Sequence, residues 1–357
     1  MYRTAPLLLL FTAPLWSLCQ APSIDAVKQE RSVQEVFQGG WSSTALPPLM
    51  AGAAQLDDVR TIRCLALAEG NGTIGPARRD QMEAVYAQMR ARDPQGQDTE
   101  LAAFHLYFPE DRAFISAQRA VALDAGRADV IAPALALAHR MGDTAGRNRW
   151  GKALYERGQL APGLLDAAHD LLLSVDRDGI LIAAGEMDAY PCWALQAAKA
   201  QRPDVLVVDS RMLDDATYRR QVWSAMGAQG AVPLTGRALM EALPLATGRS
   251  LHLSMALGGR VPAAWNAQLY VVGTVFRYSA ATLDNIPMLE ARWLDLRKPM
   301  NAGPLSHNYL LPAAILLKHY REQEDEAGIA RMERSLRAMA DKLGTTAALY
   351  RNGVLQH

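Results

Sequence analysis

The sequence predicts an α/β protein with an all-α repeat region: a mainly parallel sheet flanked by helices, preceded by stacked helical hairpins. Three observations predict it. Two apolar, β-rich runs, Ile180–Ala184 and Val205–Val208, are uninterrupted by polar residues, as expected of parallel strands covered on both faces. Between them, Ala194–Gln201 has the composition of the helical crossover that parallel pairing requires. Upstream, Arg119–Arg127 and Gly151–Gln159 align at a separation of 32 residues, as helical repeats do.

With 357 residues, 50% hydrophobic and 21% charged, the chain can bury a sizeable core and is long enough for two domains. Lys+Arg and Asp+Glu both number 37, so no global field recruits nucleic acid or an anionic membrane, and no nucleic-acid partner is expected.

In chain order, Arg3 followed by the apolar stretch Ala5–Leu18 reads as a secretory signal peptide over residues 1–21, too short to span a bilayer. Cys19 is an alternative lipidation site, but Leu18 occupies a position where a small residue is wanted. The mature chain is expected to be exported, periplasmic or extracellular, with no membrane span. Cys64 and Cys192 are then the remaining cysteines, and two free thiols are expected.

Residues 22–55 read as a lead-in with one helix near Ile24–Phe37, and residues 56–175 as a helical-repeat domain. Leu56, Val59, Ile62 and Leu65 recur at helical spacing, as do Met82, Val85, Tyr86 and Met89. Gly70-Asn71-Gly72-Thr73-Ile74-Gly75 matches a dinucleotide-binding spacing, yet helical periodicity precedes it where a strand is needed, so a helix end and turn is expected. The repeats, each closing on a glycine suited to the left-handed conformation, resemble degenerate tetratricopeptide hairpins, which usually hold partners. Residues 176–300 form the expected Rossmann-like α/β domain. Ser250–Leu257 reads as its third strand and Gln268–Tyr278 as its fourth, with Gly273 as a bulge or close approach. Helices are expected over 216–228 and 236–245. A C-terminal helical pair over 301–357, Asn308–Gln323 and Glu326–Leu343 with Asp325 as N-cap, closes the fold.

Gly179-Ile-Leu-Ile-Ala-Ala-Gly185-Glu186-Met187-Asp188-Ala189-Tyr190-Pro191-Cys192-Trp193, followed by Arg202-Pro203-Asp204-Val205, resembles the soluble C-terminal portion of the bacterial protein O-mannosyltransferase-like membrane family, a domain of unknown function. Leu269–Tyr278 is similar to a later strand of that family, so the resemblance spans Val175 to about Tyr278. It implies an apolar strand, a polar turn, a helix and a second strand. In this chain the family's paired Asp residues stand as Glu186 and Asp188, its Asn as Met187 and its Thr as Ala189. No membrane span to carry a lipid-linked sugar reaction is expected in this sequence, so the resemblance implies fold more than activity.

In an open parallel sheet ligands bind beyond the carboxyl ends of the strands. Glu186, Asp188 and Tyr190 follow the first strand, and Asp209 and Arg211 the second; these are the ligand-binding candidates, with Trp193 either roofing the cleft or packing in the core, and Arg277 reaching it from the fourth strand. Glu186 and Asp188, completed by Asp209, could hold a divalent cation through oxygen ligands. The competing reading has Asp188 capping the helix and Glu186 or Asp209 paired with Arg211. Pro191 fits the first turn of that helix.

Two functions follow. The favoured one is a non-catalytic cell-envelope protein that binds a protein partner or glycan through its repeats and α/β domain. The alternative is a metal-assisted hydrolase or glycosyl-type transferase using the strand-end carboxylates.

Overall fold

The computed structural model describes residues 51–69 and 74–356. Residues 1–21, read above as a signal peptide and including Cys19, and the helix expected near Ile24–Phe37 lie outside the described residues, as do positions 70–73.

Helices come first. α1 (Ala51–Glu69), α2 (Pro76–Arg92), α3 (Gln97–Tyr107), α4 (Asp111–Leu123), α5 (Ile131–Met141), α6 (Thr144–Glu156) and α7 (Pro162–Leu173) follow one another, with α1 packed on α2, α3 on α4 and α5 on α6. The segment before Gly70 is therefore helix, which removes the strand a dinucleotide fingerprint needs. The glycine closures are only partly as expected. Gly142 caps α5 at φ 71°, and Gly158 follows α6 at φ 63°. The earlier repeat closes differently: α4 ends at Asp124, whose side chain accepts the Gly126 N–H at 2.7 Å, an Asx turn that needs no left-handed residue.

The sheet follows: β1 (Ile180–Ala183), α8 (Glu186–Lys199), β2 (Leu206–Asp209), α9 (Ala216–Ala225), α10 (Gly236–Ala246), β3 (Leu251–Ser254), β4 (Leu269–Val271) and β5 (Val275–Tyr278). Strand order is β2-β1-β3-β5-β4. β1 pairs in parallel with β2 and β3, and the run from Ile180 to Ala183 is buried throughout, which accounts for its apolar sequence. The expected Rossmann-like, mainly parallel sheet is corrected to a mixed one, because β5 pairs antiparallel with both β3 and β4. The single fourth strand expected over Gln268–Tyr278 is a hairpin. Its reversal needs Gly273, at φ 103°, and a Cβ there would lie 2.2 Å from Ser174 Oγ. That hydroxyl accepts the Thr274 N–H at 3.0 Å and donates to Asp170 O at 2.7 Å, tying the hairpin turn to the end of α7.

Helix α8 begins earlier than expected. It starts at Glu186, directly after β1, so Pro191 lies inside it rather than in its first turn. The Arg202-Pro203-Asp204 stretch is a clamp on the end of α7: the Arg202 guanidinium donates to Leu172 O, Val175 O and Asp176 O and forks onto Asp204 at 2.9 and 2.7 Å. Such a clamp satisfies orphan carbonyls at a helix end with a charged donor. Buried Asp170 does the converse, accepting Arg297 N–H, Lys298 N–H and the Tyr309 hydroxyl at 2.8–2.9 Å.

The C-terminal region contains α11 (Ile286–Asp295), α12 (Leu310–Glu322), α13 (Glu326–Leu343) and α14 (Thr346–Arg351). Asp325 caps α13 as expected, accepting the Gly328 N–H at 3.0 Å. One apolar core runs from Phe104 to Leu355, through helices α3–α7, the sheet and the C-terminal helices; a smaller one joins α1–α4. Cys192 is a buried thiol and is not bridged to Cys64.

Replacing Gly273 by Ala forces a side chain into a conformation L residues rarely adopt and against Ser174. A loss of about 2–4 kcal/mol is expected in urea unfolding, with an unchanged slope on denaturant.

Candidate functional site

The carboxyl ends of β1, β2 and β3 lie along one edge of the sheet, and five of the sequence-predicted residues meet there: Glu186, Asp188, Tyr190, Asp209 and Arg211. The strand order places β2 and β3 on opposite sides of β1, so the edge is also the point where the connections diverge.

Glu186 is the first residue of α8, where a negative charge complements the helix dipole. Its carboxylate is buried and held from two sides. Arg63 of α1 forks onto it, Nη1 to Oε2 at 2.9 Å and Nη2 to Oε1 at 2.5 Å, and Arg211 Nη2 lies 3.2 Å from Oε1. Burial alone would raise its pKa; the two guanidiniums reverse that and hold the carboxyl well below the usual range. Arg211 is in turn bound to Asp209, which accepts the Arg211 N–H at 2.9 Å and Nη2 at 3.3 Å. The two carboxylates hold the Arg211 guanidinium charged against the cost of burial. Both guanidiniums also lie over the Phe108 ring, Arg211 at 5.2 Å and Arg63 at 6.0 Å from its centroid.

Asp188 is the third residue of α8 and reaches back to cap it. Its oxygens accept the Ala184 and Gly185 N–H groups at 2.7 and 2.8 Å, and the Ser254 hydroxyl at the end of β3 donates to it as well. Burial dominates over these donors and raises its pKa, with nearby Asp209 adding to the rise. Gly185, at φ 151°, lets Arg211 come close: a Cβ at 185 would sit 2.4 Å from Arg211 Nε.

The capping and pairing reading therefore describes this edge. Glu186 and Asp188, the expected metal ligands, have all four oxygens engaged by arginine or amide donors. Among the described residues no group of three or more His, Cys, Asp or Glu is placed to hold a metal ion. Tyr190 is 1% exposed, and burial beside Glu186 and Asp209 pushes its phenol well up.

Trp193 and Arg277 are not part of the edge. Trp193 is 3% exposed, donates its indole N–H to Val207 O at 3.1 Å and stacks on His139 at 3.6 Å, so it packs in the core rather than roofing a cleft. Arg277 lies opposite His252 on β5 and meets Asp176 at 3.1 Å, at the amino edge of the parallel strands. Antiparallel pairing is the reason: β5 runs toward the edge that β1–β3 start from. His252 is structural, its Nε2 accepting the Asp176 N–H at 3.4 Å.

Sequence reasoning did not find Arg63, His105, Phe108 or Arg260. Arg63 lies 123 residues before its partner, and nothing in a helical stripe marks it. His105 is buried beside Arg63 and held neutral, burial first and the arginines second lowering its pKa. Arg260 had a usable signal, since it follows the third parallel strand.

Glu186→Gln leaves Arg63 and Arg211 short of a buried counter-charge and is expected to cost about 3–5 kcal/mol at pH 7. Because the folded pKa of Glu186 lies below its unfolded value, this contribution is present above the unfolded pKa and lost as pH falls. The stability gap between wild type and Glu186→Gln in urea should therefore shrink progressively below about pH 4.5. A gap independent of pH from 7 to 3 would contradict the pairing.

Residues 164–239, from α7 into α10, match the family model described as TMEM260-associated domain 2. No curated protein and no solved structure matches the chain. The matched segment contains β1, α8, β2 and the whole Glu186–Asp188–Asp209–Arg211 set, and it ends before β3. Over that segment the chain is similar to a TMEM260-like domain of unknown function.

Proposed function

We propose that this chain is an exported cell-envelope protein that binds a glycan or a protein partner without transforming it. The observation that supports the reading is the commitment of the strand-end carboxylates. Glu186 is taken by Arg63 and Arg211, Asp188 by the start of its own helix, and Asp209 by Arg211. A glycosyl-type or metal-assisted reaction needs a carboxylate that faces its substrate or metal and can exchange a proton or a ligand. Carboxylates locked in buried pairs and caps are poor candidates for that work.

The resemblance to the soluble portion of O-mannosyltransferase-like membrane proteins supports a glycan as ligand, with the fold retained and the polar Asn and Thr of the motif replaced by Met187 and Ala189. Met187 fits this, because it packs on an apolar cluster of Leu164, Ala302 and Leu305. The helical hairpins supply a surface of the kind that holds protein partners. The apolar stretch Ala5–Leu18 supports export.

The test is turnover. The purified chain, incubated with sugar phosphates and aryl glycosides with and without magnesium or manganese, should leave every substrate intact by proton NMR. Consumption of any of them that is lost in Asp209→Asn would overturn the reading.

A further inference from the structure

We propose that Arg260, with the Ser210 hydroxyl, anchors an oxyanion, a phosphate or carboxylate group carried by the ligand, at the carboxyl edge of β1–β3. This deepens the binding function above and rests on it.

The starting point is an arginine without a counter-ion. Arg260 ends the turn after β3, and among the described residues no carboxylate lies within ion-pair distance of its guanidinium. Among the described residues its one hydrogen bond is from Nη1 to Ser210 Oγ at 3.0 Å, and its Nε is buried with no acceptor there. The neighbouring carboxylates are spent elsewhere, Asp209 on Arg211 and Asp188 on the α8 cap. Burial, and then the like charge of Arg211, work against the Arg260 cation, and the nearby Asp188 and Asp209 charges offset them only in part. A side chain present only to fill that space would be more stable as an aliphatic residue. The buried Nε is out of a ligand's reach, but Nη2 makes no hydrogen bond among the described residues, and with Nη1 it offers an incoming oxyanion two points of grip.

The surroundings are built to deliver it. Gly258 adopts φ 52°, ψ −128°, a backbone state that breaks the turn after β3 and brings Arg260 back to the strand ends. Ser210 follows β2 directly, and its oxygen accepts from Arg260, which leaves the hydroxyl hydrogen available to the same anion. Loops after β2 and β3 thus converge where the strand order diverges, the place an open sheet offers a ligand. The opposite edge lacks this feature. There an open cavity of about 490 Å³ is lined by Arg202 and Arg292, but those guanidiniums are bound to carbonyls and to Asp204 and Asp176.

The experiment compares wild type, Arg260→Leu and Ser210→Ala by calorimetry and thermal unfolding. The probes are millimolar inorganic phosphate, D-glucuronate and neutral D-glucose at constant ionic strength. Wild type should be stabilised by phosphate or glucuronate and not by glucose, and whichever anion gives the larger shift names the group. Arg260→Leu should bind at least about tenfold more weakly while unfolding, without ligand, at the wild-type temperature or above it. Ser210→Ala should bind with intermediate affinity. The site is overturned if neither anion shifts wild type, if the shift survives in Arg260→Leu, or if Arg260→Leu without ligand melts more than about 3 °C lower. Failure of anion binding leaves the non-transforming function standing, since that is read by turnover.

Discussion

A single buried charge, the Glu186 carboxylate, joins parts of the molecule that the chain keeps far apart. It sits at the junction of β1 and α8, yet one of its cations comes from the first helix, 123 residues upstream, and the other from the turn after β2. A buried ion of this kind is tolerated only if its partners are fixed, so the pair imposes a position on α1 relative to the sheet. Phe108, at the end of α3, completes the arrangement by lying under both guanidiniums. The helical hairpins and the α/β unit thereby share a polar lock as well as the apolar core that runs from Phe104 to Leu355.

The same lock decides what the strand-end chemistry can do. The edge of a parallel sheet is a natural ligand site because loops and helix N-termini meet there, and here most of its polar groups turn inward. Asp188 closes the helix it belongs to, Glu186 holds two elements together, and Asp209 steadies Arg211. Arg260 is the exception, because among the described residues no carboxylate pairs with it directly and its hydrogen bond is to the Ser210 hydroxyl. Internal pairing and outward availability are thus divided between neighbouring arginines rather than shared by the whole cluster.

Much of the architecture was legible in the sequence because buried parallel strands have little freedom in composition. The runs Ile180–Ala184 and Val205–Val208 could be read as strands with a helix between them, and Asp325 as a cap, from local chemistry alone. The hairpin of β4 and β5 was not legible: Val272-Gly273-Thr274 carries one turn residue inside an apolar run, and the reversal depends on the room Ser174 leaves at Gly273. Pro191 misled the helix boundary, since proline is costly inside a helix and usual in its first turn. Within the site, the gathering of Glu186, Asp188, Tyr190, Asp209 and Arg211 followed from strand topology. The Asp188 cap and the pairing of Arg211 with Asp209 and Glu186 were legible as local chemistry too. The Arg63 fork was not, because Arg63 is a long-range partner with no sequence signature, and Arg277 was displaced to the far edge by an antiparallel pairing that only the full sheet reveals.

The most direct measurement is a double-mutant cycle on Arg63 and Glu186, with Arg63→Met and Glu186→Gln studied singly and together by urea unfolding at pH 7. A buried, bidentate pair should give a coupling energy of about 2–3 kcal/mol, the double change costing clearly less than the sum of the two single ones. A coupling near zero, with the two losses simply adding, would mean that Glu186 does not depend on Arg63 and that its carboxylate is available for other chemistry.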